Sequence, residues 1–201
     1  MRLYATIVDD FVFDYLSLRR YADSAIYEDV VNPADGVVYP GICTQIPKDV
    51  ISDITYRLGG VLGSGISVKT IFMRQSKEGV PVPHQAHNDL AMGRFSLMLY
   101  LNREEHCQGG TELVRHAETG LAEQPATEEG VEVWRRDANT PQAWARIALC
   151  EMRPNRAFIF DAALMHRALP IAGFGTTNED ARLVLTCFFD IFGSRDHSPR
   201  H

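Results

Sequence analysis

Apolar residues in the first third of the chain recur at spacings of three and four. One such series is Tyr15, Leu18, Ala22 and Ile26, and another is Val50 or Ile51, Ile54 and Leu58. This spacing predicts two helices, each with one apolar face. Pro47 suits the start of the second helix, and the pair Gly59-Gly60 can end it. Residues 1–64 are therefore predicted to form a helical support for the rest of the chain.

From Gly65 onward the apolar residues form short runs that are rich in β-branched and large side chains. The runs are GISVKTIFMRQ, RFSLMLYLN, GTELVRH, RAFIF, MHRALPI and RLVLTCFFD. Gly, Pro, Asn and Asp separate them, as turns require. Helices followed by six or more short strands predict an α+β chain dominated by a β-sandwich or barrel over residues 65–192. A length of 201 residues suits a single domain, 1–201.

The segment 116–150 differs from its surroundings because it is polar, acidic and poor in strand signals. It carries both tryptophans of the chain, Trp134 and Trp144. The segment is predicted to be a long insertion between strands, and such insertions are often functional lids. We expect a mobile cover over the open end of the sheets, with one of the tryptophans near a substrate. A surface excursion without a role is the alternative.

Composition narrows the class of protein further. A hydrophobic content of 45% and a charged content of 23% are ordinary for a globular protein. The net charge of −6 disfavours nucleic acid and anionic membranes as partners, and no apolar run approaches the roughly 20 residues of a membrane span. The cysteines are Cys43, Cys107, Cys150 and Cys187, without a C-x-x-C pair. They are expected to be reduced thiols of a cytoplasmic protein.

Candidate chemistry begins with the stretch HQAHNDLAMGRFSLMLYLN at residues 84–102. If His87 and Asp89 lie on a strand, they point to the same face, and a second histidine would complete the 2-His-1-carboxylate set that binds Fe(II). The motif is weak alone, because seven histidines and 26 acidic residues in 201 positions give about one chance match. His116-Ala117-Glu118 is a second match, and His84 is a further candidate ligand.

The order of the surrounding motifs gives the first one context. His87-Asn88-Asp89 is followed by RFSLMLYLN, then Gly109-Gly110, then NRAFIFDAALMHRALPI, then RLVLTCFFD. This order resembles that of the iron(II)- and 2-oxoglutarate-dependent dioxygenases, especially their prolyl 4-hydroxylase-like branch. NRAFIFDAALMH also looks like a small bacterial and phage group of that superfamily. The resemblance covers about residues 65–190 and implies a double-stranded β-helix, or jelly-roll and cupin-like core, with the N-terminal helices packed on one sheet.

The resemblance also implies the roles of particular residues. His87, Asp89 and His166 take the places of the iron ligands and catalytic centre, and Arg182 takes the place of the residue that binds the distal carboxylate of 2-oxoglutarate. The tyrosine that relatives often carry in the strand before H-x-D is missing, so Tyr100 is a possible donor instead. Thr186 lies on the strand face of Arg182 and is another. Arg167 and Arg156 compete with Arg182 for its role.

The implied cofactors are Fe(II), the cosubstrate 2-oxoglutarate and O2, and the implied reaction is hydroxylation of a C–H bond, with desaturation or ring formation as variants. A small molecule such as an amino acid is the expected substrate, and Arg94, Arg115, Arg146 and Arg153 are candidates to contact its carboxylate. Three alternatives stay open: a hydroxylase of peptide or protein side chains, a cupin-like metalloprotein without 2-oxoglutarate, and a jelly-roll binding module without catalysis. The sequence leaves the oligomeric state undetermined.

Overall fold

A computed structural model of the protein describes residues 5–32 and 36–193. Over these ranges the strands are β1 (Ala5–Val8), β2 (Glu28–Val31), β3 (Val38–Cys43), β4 (Gly65–Ser76), β5 (Phe95–Tyr100), β6 (Gly110–His116), β7 (Trp144–Glu151), β8 (Ala157–Asp161), β9 (His166–Leu169) and β10 (Arg182–Phe192). The α-helices are α1 (Tyr15–Ser24), α2 (Lys48–Leu62) and α3 (Glu128–Asp137). Each of the six runs predicted as strands contains one, which confirms that part of the sequence analysis.

The strands form two antiparallel sheets. The larger has the order β1-β8-β5-β10-β4-β3-β2, and the smaller has the order β7-β6-β9. Between β4 and β5 the chain touches the small sheet through a bridge that pairs His87 with His166 of β9. From β4 to β10 the chain thus passes back and forth between the sheets. This winding is that of the double-stranded β-helix, and the expected α+β jelly-roll core is confirmed.

Two apolar layers hold the sheets in place. Leu97, Leu185 and Phe189 on one face of the large sheet share a buried cluster with residues of α1 and α2, so the N-terminal helices pack on one sheet, as predicted. The other face, with Phe158 and Val184, shares a second cluster with the small sheet. The space between the two sheets is therefore the interior in which inward-pointing polar groups can meet.

The boundaries of the two N-terminal helices differ slightly from the prediction. Helix α1 begins after Asp14, whose side chain accepts a hydrogen bond from the Ser17 amide, and it ends before Ile26, which is exposed. Helix α2 follows Pro47 as expected, but it continues through Gly59-Gly60 to Leu62. A glycine inside a helix costs only about 1 kcal/mol relative to alanine, so the pair weakens the helix without ending it. Gly63, at a positive φ of 62°, provides the actual end.

Residues 1–64 are not only a helical support, which corrects the prediction. Strands β1, β2 and β3 extend the large sheet at both edges. These strands are only four to six residues long, which is too short to show a clear alternating pattern. Strand β3 also contains Pro40-Gly41. The predicted insertion 116–150 likewise contains α3 and most of β7. None of the helices in the described ranges is long and apolar enough to cross a membrane.

Candidate metal centre

His87, Asp89 and His166 come together between the sheets. One potential ligand atom from each lies within 4.8 Å of those of the other two. The Nε2 atom of His166 is 3.1 Å from a carboxylate oxygen of Asp89, and the Nε2 atom of His87 is 3.7 Å from the other. An imidazole pair and one carboxylate at these separations form the donor set of a 2-His-1-carboxylate site.

Backbone hydrogen bonds fix the two segments that carry these side chains. His87 and His166 exchange both amide-to-carbonyl bonds, at 3.1 and 2.9 Å, and the Asp89 amide donates to the carbonyl of Ala162 at 2.9 Å. The short segment before β5 is thereby fastened to the start of β9. The rings of His87 and His166, which are far apart in sequence, are held with their centroids 4.4 Å apart and their planes tilted by 56°.

Each histidine presents its Nε2 atom to the centre. The Nδ1 atom of His87 lies 3.3 Å from the carbonyl oxygen of Gln85, and Nδ1 of His166 lies 3.0 Å from that of Leu164. A carbonyl can only accept, so each Nδ1 atom carries a proton, and in the neutral form of each ring the lone pair lies on Nε2. This is the arrangement that metal-ligating histidines require.

The facing atoms of this centre lack hydrogen-bond partners. Nε2 of His166 and Oδ2 of Asp89 are buried, and although they are near each other, neither makes a hydrogen bond of acceptable geometry. Leaving such buried groups unpaired costs free energy. A cation between the three side chains would satisfy these atoms, so the residues present fit a bound metal ion.

The charge states also suit a cation. Burial, followed by the nearby His166, lowers the pKa of His87 to about 4. Burial acts to raise the pKa of Asp89, but His166, His87 and Arg74 together hold it below its ordinary range. Near neutral pH His87 is therefore neutral and Asp89 ionised, the states in which both bind metal.

The other histidines singled out in the sequence lie elsewhere. His84 is exposed and does not join the cluster. His116 is buried, and its Nε2 atom lies 3.1 Å from a carboxylate oxygen of Asp137. Glu118 is exposed beside Arg136. The second H-x-E match is thus a histidine with its own partner and a surface carboxylate, because its two side chains do not converge.

Arg182 lies inside the molecule at the start of β10. Its side chain is 5% exposed, and its Nη2 atom lies 3.3 Å from the carbonyl oxygen of Gly110 and 3.5 Å from the Thr111 hydroxyl. Its Nε atom is buried without a partner. Burial lowers the pKa of Arg182 to about 10, so the guanidinium stays charged at neutral pH. Arg182 can therefore bind an anion.

The Gly109-Gly110 turn brings the small sheet close enough to make these contacts. Both residues have positive φ angles, 62° and 148°. A Cβ atom at Gly109 would collide with the carbonyl of Leu169, and one at Gly110 would collide with that of Cys150. Glycine is required here, and the residue after the turn is Thr111, which the sequence analysis had not singled out.

The remaining candidates for cosubstrate binding have partners of their own. The Tyr100 hydroxyl donates to the carbonyl of Cys150 at 3.1 Å, near Arg182. Thr186 is buried with its hydroxyl 3.5 Å from the sulfur of Met98. Of the competing arginines, Arg156 binds Asp9 and Arg167 binds Glu112. The guanidinium groups of Arg156 and Arg167 are thus already paired with carboxylates. Of the three arginines, Arg182 is the one available in the interior to bind an anion.

The four arginines considered for a substrate carboxylate do not form a group at the centre. Arg146 binds the buried Glu112, Arg94 lies against the ring of Phe95, and Arg115 and Arg153 are exposed. A residue that the sequence analysis missed is Arg74 of β4, which acts electrostatically on Asp89 and on Arg182. Its position opposite Val184 of β10 becomes visible only when the strand register is known.

The segment 116–150 packs on the loop that carries His87. Trp134 and Trp144 form an edge-to-face pair with ring centroids 5.3 Å apart, and they share a buried cluster with Ala86 and Met165. Both tryptophans are therefore next to residues adjoining the metal centre. Whether either one reaches a substrate stays a prediction.

Comparisons with known proteins agree with this architecture. The model of a family described as "Family of unknown function (DUF6445)" matches residues 2–189. No curated protein matches the sequence.

Solved structures show the fold at low identity. The non-heme alpha ketoglutarate dependent carbocyclase SnoK from nogalamycin biosynthesis is 14% identical, with a TM-score of 0.58 over 94% of this chain and 79% of that one. EctD from S. alaskensis, solved with 2-oxoglutarate and 5-hydroxyectoine, is 13% identical, with a TM-score of 0.53 over 94% and 72%. The epimerase SnoN from the same nogalamycin biosynthesis is 15% identical, with a TM-score of 0.54 over 94% and 78%. The chain thus has the fold of 2-oxoglutarate-dependent oxygenases.

Proposed function

The chain belongs to a family of unknown function (DUF6445), and from its metal centre we propose that it is an Fe(II)- and 2-oxoglutarate-dependent oxygenase. The observation that carries the proposal is the convergence of His87, Asp89 and His166, together with the buried Asp89 Oδ2 and His166 Nε2 atoms that lack hydrogen-bond partners. The fold shared with SnoK and EctD supports it, and the sequence adds its resemblance to the prolyl 4-hydroxylase-like branch.

In this proposal the protein supplies binding and orientation. Bound Fe(II), with 2-oxoglutarate and O2, supplies the oxidising power that cleaves a substrate C–H bond, while 2-oxoglutarate leaves as succinate and CO2. His87, Asp89 and His166 would hold the metal and leave positions for 2-oxoglutarate and O2. Because Asp89 would supply the third protein ligand, no further position would remain for a halide, and we propose hydroxylation rather than halogenation.

Arg182 would bind the distal carboxylate of 2-oxoglutarate. Its guanidinium is buried between the sheets, carries an unpartnered Nε atom and lies beside Thr111. A planar fork of N–H donors matches a carboxylate. Tyr100 and Thr186, which lie on the same face of the large sheet on β5 and β10, would complete the lining.

The proposed substrate is a small molecule in the cytoplasm. The four cysteines are free thiols, as expected of a reducing compartment. A hydroxylase of peptide side chains is the second candidate, supported by the sequence resemblance. A non-catalytic module is disfavoured, since a module gains nothing from a buried arginine and three convergent ligand residues, two of which present buried atoms without partners.

Metal loading and succinate release test the proposal together. The protein purified without oxygen is expected to bind one Fe(II) per chain, and His87→Ala or His166→Ala to abolish binding. Ni(II), Co(II) or Zn(II) is expected to replace iron in air, because the same ligands bind these ions. Succinate formed from 2-oxoglutarate in the presence of a metabolite panel measures activity. His84→Ala is the matched control, and full metal occupancy in the double variant His87→Ala/His166→Ala would refute the assignment.

A further inference from the structure

Arg74 carries two guanidinium nitrogens that nothing in the described chain satisfies. Its Nε and Nη2 atoms are inaccessible to water and make no hydrogen bond. Its guanidinium carbon lies 5.9 Å from the centroid of the Tyr39 ring, a contact that steadies the group without using its N–H donors. Buried polar groups without partners are rare in native structures. Two such atoms on one arginine point to a missing partner that is negatively charged.

Strand register places Arg74 beside the metal centre. On β10, Arg182 pairs with Ser76 of β4 and Val184 pairs with Arg74. Arg74 and Arg182 therefore lie diagonally across from each other on the inward face of the large sheet. The Arg74 guanidinium interacts electrostatically with both Asp89 and Arg182. The missing anion would thus lie in the same interior space as the metal and the cosubstrate.

The charges of this interior do not balance with metal and cosubstrate alone. Arg74 and Arg182 contribute two positive charges, and Asp89 contributes one negative charge. A divalent metal adds two positive charges, and 2-oxoglutarate adds two negative charges. One positive charge remains, and an uncompensated charge in a buried place is costly.

We propose that Arg74 binds the carboxylate of the substrate, which is a small organic acid with one net negative charge, such as a monocarboxylic acid or an acidic amino acid. The inference rests on the proposed oxygenase function and adds the substrate class to it. Both carboxylates of 2-oxoglutarate are accounted for, since one chelates the metal and the other reaches Arg182. The flat N–H edge of Arg74 matches a carboxylate, whereas a phosphate dianion would overcompensate the single remaining charge.

Matched pairs of acids and amides test this inference. The protein is loaded with Zn(II) in place of Fe(II) and with 2-oxoglutarate, so that no turnover occurs. Binding of the proteinogenic L-amino acids and of butyrate through octanoate is measured by calorimetry beside the primary amide of each. At least one acid is expected to bind saturably, with an affinity at least about 10-fold above that of its amide, because one charge-assisted contact distinguishes the two.

Variants then assign the contact to Arg74. Arg74→Met is expected to weaken that acid by about 10- to 100-fold, and Arg74→Lys to recover part of the loss, since lysine keeps the charge but not the fork. The affinity for 2-oxoglutarate is expected to change little in Arg74→Met. Arg115→Met, which removes an exposed arginine, is the matched control and is expected to behave as the parent protein.

The melting temperature separates a binding role from a structural one. Because the two Arg74 nitrogens are unpaired in the free protein, Arg74→Met is expected to melt no lower than the parent without ligands. Three results would overturn the inference: no acid binds better than its amide, Arg74→Met binds the acid as tightly as the parent, or Arg74→Met weakens 2-oxoglutarate as strongly as Arg182→Met does. If 2-oxoglutarate itself does not bind, the oxygenase proposal fails, and the comparison of acids with amides on the zinc-loaded protein still decides the role of Arg74.

Discussion

The two histidines of the metal centre expose the same nitrogen for the same local reason. Each Nδ1 atom bonds the carbonyl two residues earlier in the chain, Gln85 for His87 and Leu164 for His166. The H-x-D pattern predicted which side chains meet, although His87 forms only an isolated bridge and Asp89 lies outside any strand. It could not predict the tautomers, because those depend on backbone atoms whose positions follow from the bridge between the two segments.

Charged residues show where sequence reasoning stops at this scale. Nothing in the sequence distinguishes Arg156, Arg167 and Arg182. Their roles differ because each has different partners, which lie far away in sequence. Asp9 binds the first and Glu112 binds the second, while Arg182 turns inward. Arg74 was overlooked for the same reason, since its inward direction depends on the register of β4 against β10.

The proposed role of Arg182 gives a prediction that distinguishes binding of the cosubstrate from binding of the metal. Arg182→Ala is expected to leave metal binding intact and to weaken 2-oxoglutarate by about 10- to 100-fold, since a charge-assisted hydrogen bond contributes roughly 1.5–3 kcal/mol. Arg182→Lys is expected to recover part of this affinity. Titration of 2-oxoglutarate into the anaerobic iron-loaded variants measures both effects. Arg156→Ala is the control, and unchanged affinity in Arg182→Ala would remove Arg182 from the site.

At the scale of elements, the segment 116–150 holds the loop before β5 in place through hydrogen bonds. The Asn139 side chain accepts a hydrogen bond from the Gln85 amide at 2.9 Å and donates to the Pro83 carbonyl at 3.1 Å. The Ala86 amide donates to the carbonyl of Ala138 at 3.0 Å. His87 follows directly on this loop, so its position depends on the segment.

Loss of these hydrogen bonds is expected to weaken metal binding at the candidate centre. Asn139→Ala removes both side-chain bonds, and we expect the metal affinity to fall by roughly 10-fold, as is typical when groups that orient a ligand are removed. Hydrogen exchange at 83–87 is expected to quicken. Thr127→Ala, which removes the N-terminal cap of α3 instead, is the control.

The same hydrogen-exchange experiment tests the prediction that the segment 116–150 is a lid. If metal, 2-oxoglutarate and substrate do not change the protection of 116–150, that prediction is contradicted.

A second set of hydrogen bonds joins α1 to the connection between β9 and β10. Arg19 is buried and donates to the carbonyls of Leu101, Asn178 and Glu179. The connection includes the stretch GFGTTNEDA at residues 173–181. Its end leads into Arg182, so a residue of the N-terminal support helps to fix the candidate cosubstrate site.

The contribution of Arg19 can be measured directly. Arg19→Met would leave the carbonyls of Asn178 and Glu179 without this donor, while that of Leu101 keeps the Tyr15 hydroxyl. We expect the free energy of unfolding to fall by about 2 kcal/mol, since each buried group left unpaired costs about 1–3 kcal/mol. Urea unfolding measures this change. Arg20→Met, one residue along on the exposed side of α1, is the control and is expected to stay within about 0.5 kcal/mol of the parent. Equal stability of the two variants would show that the connection holds without Arg19.

Strand prediction followed the strength of the local pattern. Each of the six runs with β-branched or aromatic residues proved to contain a strand, whereas the strands missed were β1, β2, β3 and β7. The first three lie at or next to the edges of the large sheet, where a few residues suffice and alternation is weak. Strand β7 is largely exposed along its middle, and its sequence lies within a polar segment. Pairing with β6 stabilises it more than its own composition does.

At the scale of the whole molecule, the winding between two sheets explains why distant motifs form one site. The chain enters the small sheet at His87 and returns to it at His166, while β4, β5 and β10 line the facing sheet. The order of motifs along the sequence indicated this winding through the family resemblance. The charge balance of the interior could not be read in that way, because it depends on which arginines face inward from the large sheet.

This arrangement predicts a stepwise stabilisation of the whole protein by its ligands. A ligand present at 100 times its dissociation constant adds about 2.7 kcal/mol, and in a chain of this size 1 kcal/mol raises the melting temperature by roughly 2–4 °C. Zn(II) or anaerobic Fe(II) is therefore expected to raise the melting temperature by roughly 5–11 °C. We expect 2-oxoglutarate to add a comparable rise when metal is present and little when it is absent, because Arg182 alone holds only one end of the molecule. Thermal scans of the parent, His166→Ala and His84→Ala distinguish the cases. His166→Ala is expected to lose both rises and His84→Ala neither. An equal rise with 2-oxoglutarate in the metal-free parent would show that Arg182 and Arg74 form an anion site independent of the metal.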